Sequence, residues 1–403
     1  MQLLTDSSVP CATHMYDKLR TGQAKNSIKD SCSPELAWKT RLPNFPAKAP
    51  ESTPVFDSSG NIYFGCHDGN LYSLSPSGDV RWSFMTNKKI FGGPLITDSN
   101  SIIVASGNGY LHSITTDGTH EWAYDISEEY RSKKEWAKSF FSILPGSIDY
   151  SKHSLRRILC WSSPNIDSEG NLYITGFGEG IHSVDAATGE QNWSYDLGVP
   201  RFHTGGAAID KSDNIYVPSQ RGVLYCFDTA GNVIWKYKIK KSHDTWAAPS
   251  IDLQNGYIYQ TSSFLSQKGQ ISAISQNGEL IWETTIDEGI RGTASISHQD
   301  YVVICGLNGT VYFIGKEQGR IYRKINLSNA PRAMWTSASI DRSGNILIGI
   351  KESFHQGSLV CIQSNGRIKW SENIGKAYAT PIIGTEGEIY IGSWKGEFYC
   401  YTT

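Results

Sequence analysis

The chain has 403 residues, with 37 Lys+Arg against 39 Asp+Glu for a net charge of −2, a balance that recruits neither nucleic acid nor an anionic membrane. Apolar residues at 39%, aromatics at 12% and charged residues at only 19% exclude a disordered chain and supply a large core. The 39 Gly, 21 Tyr and 12 Trp against 4 Met suit many short strands joined by tight turns.

In chain order, residues 1–34 mix Ser, Lys and Asp and read as a loosely held N-terminal leader. Their start lacks the apolar run of about 7–15 residues that a secretory signal needs. Cys11 follows Val9 and Pro10 with no apolar segment ahead of it, so a lipoprotein signal is not expected. No stretch approaches the roughly 20 apolar residues of a membrane span. The eight cysteines, at 11, 32, 66, 160, 226, 305, 361 and 400, show no CxxC spacing. They read as reduced thiols of a cytoplasmic protein, and no zinc or other metal site follows from them.

From residue 35 onward one phrase repeats. Its clearest copy, PVFDSSGNIYFGCHDGNLYSLSPSGDVRWSF over 54–84, is four strands with period-2 alternation, an Asp/Ser/Gly/Asn turn after the first and a Trp in the last. Further copies begin at Pro94, Pro164, Ala207, Pro249, Ala294, Ala338 and Pro381. The fourth-strand aromatics, Trp82, Trp122, Trp193, Trp235, Trp282, Tyr322 and Trp370, step by 40, 71, 42, 47, 40 and 48. A period near 40–48 made of four strands predicts an all-β, eight-bladed propeller over 35–403. The eighth copy ends at Thr403 after three strands. LAWKTRL over 36–42 supplies a Trp-bearing strand at the other end of the chain, so the N-terminal strand is expected to complete the last blade and close the ring. The one long step holds an insertion over 127–160. Ser127 as N-cap, Glu128 and Glu129 in the first turn, and Trp136, Phe140 and Leu144 at i, i+4, i+8 predict an amphipathic helix ended near Pro145. That helix reads equally as a lid over one face or as a rim ornament or dimer contact.

The phrase D-x-x-G-N-x-Y…G-x-L-Y-x-x-x-x-x-G-x-x-x-W resembles the pyrroloquinoline-quinone-type propeller repeat of quinoprotein dehydrogenases and of the bacterial outer-membrane assembly lipoprotein of that fold, and the resemblance covers about 36–403. It implies the eight-bladed fold, while its function is open because such propellers host catalysis, ligand binding and protein docking alike. Quinone-dependent members imply export, a calcium and an adjacent-cysteine disulfide. Neither an export signal nor an adjacent Cys pair is visible in this sequence, so no cofactor is expected. P-loop, GxGxxG, HExxH and GxSxG motifs are likewise not seen. The DSSGN, DSEGN and DRSGN segments lie between first and second strands and read as Asx hairpin turns rather than calcium loops.

Loops between blades emerge at one face around the central channel, where function concentrates. Three residues before each copy lies one equivalent position per blade: Glu51, Phe91, Trp161, Thr204, Trp246, Arg291, Trp335 and Tyr378. Five of the eight are aromatic, which fits either a packed plug or a site for a flat or cationic guest. Neighbouring loops at the same face add His67, Asp68, Glu179, Gln220, Arg221, Phe264, Glu352, Phe354, His355, Trp394 and Lys395. The leading expectation is a small-molecule funnel whose ligand-binding groups are Phe91, Trp161, Thr204, Trp246, Trp335, Trp394, Phe264 and Phe354. Its candidate catalytic groups are His203, Asp244, Arg291, Arg332, Glu51 and Tyr378. Elimination of redox and hydrolytic motifs leaves a non-redox cyclisation, isomerisation or condensation, with aromatic walls holding the reactive conformer and polar groups moving protons. The alternative is a protein-interaction scaffold using the same aromatic face. A quinone-dependent dehydrogenase ranks third.

Overall fold

The computed structural model describes residues 11–29, 33–43, 49–128, 160–176, 180–198, 205–240, 245–264, 267–330, 332–353 and 355–403. Within them the chain is all-β, with 32 strands in eight four-stranded antiparallel sheets, seven of them built from four consecutive strands. Every inner strand begins one residue after a predicted copy start: Val55–Phe56, Leu95–Ile96, Asn165–Ile166, Ala208–Ile209, Ser250–Ile251, Ser295–Ile296, Ser339–Ile340 and Ile382–Ile383. In the first blade the middle strands Ile62–Gly65 and Asn70–Leu74 are wholly buried, while the outer strand Val80–Met85 alternates toward solvent. This is the pattern of sheets stacked face to face with one wet edge. The eighth sheet is closed by Glu35–Arg41 pairing with Glu397–Thr402, Trp38 opposite Cys400, so both chain ends share one blade.

The outer-strand tryptophans bind neighbouring blades together. A β-bulge beside each one re-aims the side chain. The indole then lies on the outer-turn glycine of the next blade and donates its Nε1–H to a carbonyl of that turn: Trp82 to Thr116 O at 3.0 Å, Trp193 to Thr229 O at 2.8 Å, Trp235 to Gln276 O at 2.7 Å. The turn glycine is required on two counts. Gly278 has φ +83°, and a Cβ there would fall 2.7 Å from the Trp235 ring. The sixth blade corrects the register read from sequence: Arg323, not Tyr322, stands opposite Phe313 where the other blades place Trp. Arg323 packs on Gly366 and donates to Ser364 O at 3.3 Å, whereas Tyr322 is 62% exposed. Adjacent aromatics hid the one-residue shift, because strand alternation sends neighbours to opposite faces.

The Asp-rich segments are the hairpin turns read from sequence. Asp57 Oδ1 accepts the backbone N–H of Ser59 and Asn61, and Oδ2 accepts Asn61 Nδ2 and Tyr63 Oη. Asp167 and Asp210 repeat the arrangement. Of the predicted helical insertion 127–160, residues 129–159 lie outside the described residues.

The N-terminal segment departs most from expectation. Residues 11–29 are not a loose leader but run through the central channel, with Cys11, Met15, Tyr16, Leu19, Arg20 and Ala24 buried. The inner strands of a propeller carry unpaired edge amides facing the axis, and such groups need partners once buried. The segment supplies them in turn: Phe56 N–H donates to Cys11 O, Ile96 to Ala12 O, Ile209 to Lys18 O, Ile251 to Leu19 O, Ile296 to Thr21 O and Ile340 to Gly22 O, all at 2.8–2.9 Å. Ile383 N–H donates to Tyr16 Oη at 2.8 Å. In the third blade Asn165 takes this role, accepting Ile166 N–H and donating to Lys18 O.

Candidate functional site

Seven of the eight equivalent loop positions, Glu51, Phe91, Trp161, Trp246, Arg291, Trp335 and Tyr378, line one cavity of 320 Å³. They touch around its circumference. Phe91 stacks on Trp161 at 4.5 Å between centroids, and Trp161 meets Trp246 at 5.5 Å. The Arg291 guanidinium lies 4.1 Å over Trp246 and 5.7 Å from Trp335, which stacks on Tyr378 at 5.7 Å. Tyr378 meets Trp394 edge to face at 5.6 Å. Trp394 Nε1 donates to Glu51 Oε1, whose other oxygen lies 2.8 Å from His67 Nε2, and the His67 ring returns to Phe91 at 4.5 Å. Burial and then the nearby Glu51 carboxylate push the Tyr378 phenol up to about 12, so it is a proton donor at neutral pH.

The inner end of the cavity is closed by the N-terminal segment through His14 and Arg20. Arg20 is fully buried. Its guanidinium donates to Ala207 O, Thr13 Oγ1, His14 O, Ser163 O and Pro164 O over 2.7–3.3 Å. Burial lowers it to about 10, still cationic. His14 Nδ1 lies 2.7 Å from Thr53 Oγ1, and burial with the Arg20 cation lowers the imidazole to about 3, so the ring is neutral at physiological pH. Sequence reading missed both residues because neither belongs to the repeat.

The other expected residues fall in three places. Trp394 and Arg332 stand at the rim, Arg332 5.9 Å from the Trp335 ring with its carbonyl accepting from Tyr378 Oη at 3.3 Å, and neither lines the cavity. Phe264 is exposed at the end of the strand Ile258–Phe264 and is also absent from the lining. His203, Thr204, Asp244 and Phe354 lie outside the described residues. Two of the aromatic faces carry cations of the protein itself: Arg291 lies over Trp246, and Lys376 Nζ lies 3.3 Å over Trp394.

Comparison with known proteins places this architecture. The outer membrane protein assembly factor BamB of Kangiella koreensis is 24% identical over 173 residues, covering 39% of this chain and 40% of the relative. Quinoprotein alcohol dehydrogenase PedH of Pseudomonas putida is 26% identical over 198 residues, covering 45% of this chain and 31% of the relative. The chain thus spans less than half the length of either curated relative. The crystal structure of BamB from Moraxella catarrhalis superposes with a TM-score of 0.56 over 92% of this chain and all of that one, at 14% identity, a likeness of fold. The family model described as outer membrane protein assembly factor BamB matches residues 178–403, more than half of the sequence, and with eight repeat-built blades the chain belongs to this family of PQQ-type propellers.

Proposed function

We propose that the funnel binds a small organic molecule with a flat apolar body, and that the protein is a non-redox enzyme of the cyclisation, isomerisation or condensation type. The observation that carries the reading is the convergence of seven side chains of five kinds, one from each of seven blades, on a single cavity closed at its inner end. At 320 Å³ it lies at the small end of ligand pockets, with an aromatic wall toward the mouth and polar side chains, many of them hydroxyls, among the rest of its lining. Phe91, Trp161, Trp246 and Trp335 form walls that hold one conformer. Arg291 is placed to stabilise negative charge developing on the ligand. Tyr378 is a proton donor, and Glu51, braced by His67 and Trp394, is a proton acceptor. His203 and Asp244 remain candidates for the same proton chemistry. A cytoplasmic location is part of the proposal, supported by seven buried thiols; cell fractionation that finds the protein in an exported compartment rejects it.

The family raises a calcium-bound quinone, and the described residues do not fit one. Only one carboxylate, Glu51, lines the cavity, and it is engaged by His67 and Trp394. The Phe91 and Trp161 faces are stacked on each other. No three His, Cys, Asp or Glu side chains cluster as metal ligands among the described residues.

Native mass spectrometry of the purified protein, after incubation with a small-molecule extract of the producing cell, tests the reading. Retention of a small molecule by the wild type and its loss in Trp246→Ala, with little change in melting temperature, is expected. Equal retention by both proteins, or none by the wild type, rejects it. A second reading, protein docking at the rim, is supported by Trp335 and Trp394, 37% and 39% exposed beside Arg332 and Lys376, a composition typical of interface hot spots. A co-purifying protein lost in Trp394→Ala, with no small molecule retained, favours that reading.

A further inference from the structure

Resting on the small-molecule reading, we propose that the N-terminal segment is part of the binding site and that His14 is a specificity-determining residue, hydrogen-bonding a hydroxyl or carbonyl end of the ligand at the floor of the funnel. Three observations meet at this residue. His14 lines the cavity on the side opposite the aromatic ring's open mouth, among small residues and hydroxyls contributed by several blades. Several of those hydroxyls bond within the ring of blades: Ser163 Oγ accepts Gly93 N–H, Ser337 Oγ accepts Thr293 N–H, Ser162 Oγ donates to Thr175 O, and Thr336 and Thr380 pair at 2.7 Å. His14 is fixed from both sides, its carbonyl by Arg20 at 2.7 Å and its Nδ1 by Thr53 at 2.7 Å. Nε2 is the remaining polar atom of the ring.

The chemistry of that atom is adaptable. A neutral imidazole carries one N–H and one lone pair, and the Thr53 hydroxyl can donate to Nδ1 or accept from it. With Thr53 donating, Nε2 bears the hydrogen and receives a carbonyl; with Thr53 accepting, Nε2 offers its lone pair to a hydroxyl. The burial and Arg20 charge that keep the ring neutral preserve this choice across the physiological range. A ligand therefore enters with its polar end inward and its flat body between the aromatic walls.

The test uses two fluorescent probes of the same flat body, 1-hydroxypyrene and 1-methoxypyrene, titrated into the full chain at pH 7. The wild type is expected to bind the hydroxyl probe about tenfold more tightly, the size of one well-made hydrogen bond in an apolar site. His14→Phe is expected to bring the ratio near one with the methoxy affinity unchanged, and His14→Gln, which keeps a polar nitrogen there, to restore most of it. Thr53→Val leaves the imidazole in place without its orienting hydroxyl and lowers the ratio as well, which keeps the proposal testable should His14→Phe not fold. A wild-type ratio near one, or a ratio untouched by these substitutions, overturns the role of His14 alone. Binding of neither probe, or binding of both that survives Trp246→Ala, overturns the funnel reading beneath it.

Discussion

The periphery and the axis of this propeller are held by opposite means. At the periphery one contact recurs from blade to blade, an outer-strand indole laid on the next blade's glycine turn. At the axis one unrepeated segment, residues 11–24, accepts the inner-strand N–H of six blades on its own carbonyls and that of the eighth on Tyr16 Oη, so every one of these bonds depends on a single stretch of chain. A recurring contact spreads stability over many equivalent interfaces, so the loss of one leaves the others intact. A single threaded segment concentrates it, and it also decides what the cavity above it looks like.

The largest expected effect is therefore at the axis. Arg20→Ala removes five hydrogen bonds and strands the carbonyls of His14, Ser163 and Pro164, while the Ala207 carbonyl keeps Asn165 Nδ2. A loss of about 3–5 kcal/mol in urea denaturation is expected, since each buried carbonyl left without a donor costs about 1–3 kcal/mol. A loss under about 1 kcal/mol means the segment is not what closes the channel.

Acid titration compares the two regions next. His14 at the axis is lowered to about 3, by burial and then Arg20; His112, on a strand toward the periphery, is lowered to about 4, by burial and then His120. Both folded values lie below the ordinary value near 6.5, so the unfolded chain binds the extra protons as pH falls. Each histidine's contribution is fully present above about pH 6.5. It is lost at up to about 1.4 kcal/mol per pH unit, down to pH 4 for His112 and to pH 3 for His14. His298, also lowered by burial and then by Lys316, adds to the same slope, so urea midpoints at pH 7, 6 and 5 should fall in step and His14→Gln should reduce the slope without abolishing it. An unchanged slope in that variant means the ring is not held neutral.

How much could be read in advance follows from the same contrast. Self-similarity exposes whatever recurs, so the eight blades, their starting residues and closure by Trp38 opposite Cys400 were legible from the repeat. The seven cavity positions were legible too, because a repeat that varies at one fixed offset marks where its loops converge. His14 and Arg20 were not, since their burial depends on edge amides donated by strands from the whole ring, a tertiary property with no local pattern. A polar, Ser- and Lys-containing segment looks solvated until those partners are seen. Phe264 was misjudged for a related reason: being on the right loop fixes the face of the molecule but not the distance to its axis.

Within the periphery the seam between the seventh and eighth blades differs from the rest. Trp370 is buried, yet its Nε1 has no partner among the described residues. Trp193→Phe, which strands the Thr229 carbonyl, should therefore cost about 1 kcal/mol more than Trp370→Phe. Equal costs would show that the indole nitrogens add little to blade docking.

The smallest effect tests the register of the sixth blade. If Arg323 holds the docking position, Arg323→Ser loses the bond to Ser364 O, the packing over Gly366 and the contact with Phe313, about 1 kcal/mol in all. Tyr322→Ser, at an exposed site, should fall within about 0.5 kcal/mol of wild type. The order of the two costs matters more than their size. Tyr322 as the costlier loss would restore the register suggested by its aromatic ring. The expected order shows that a cation with a long apolar stem replaces an indole where the carbonyl and the glycine face, rather than aromaticity, define the joint.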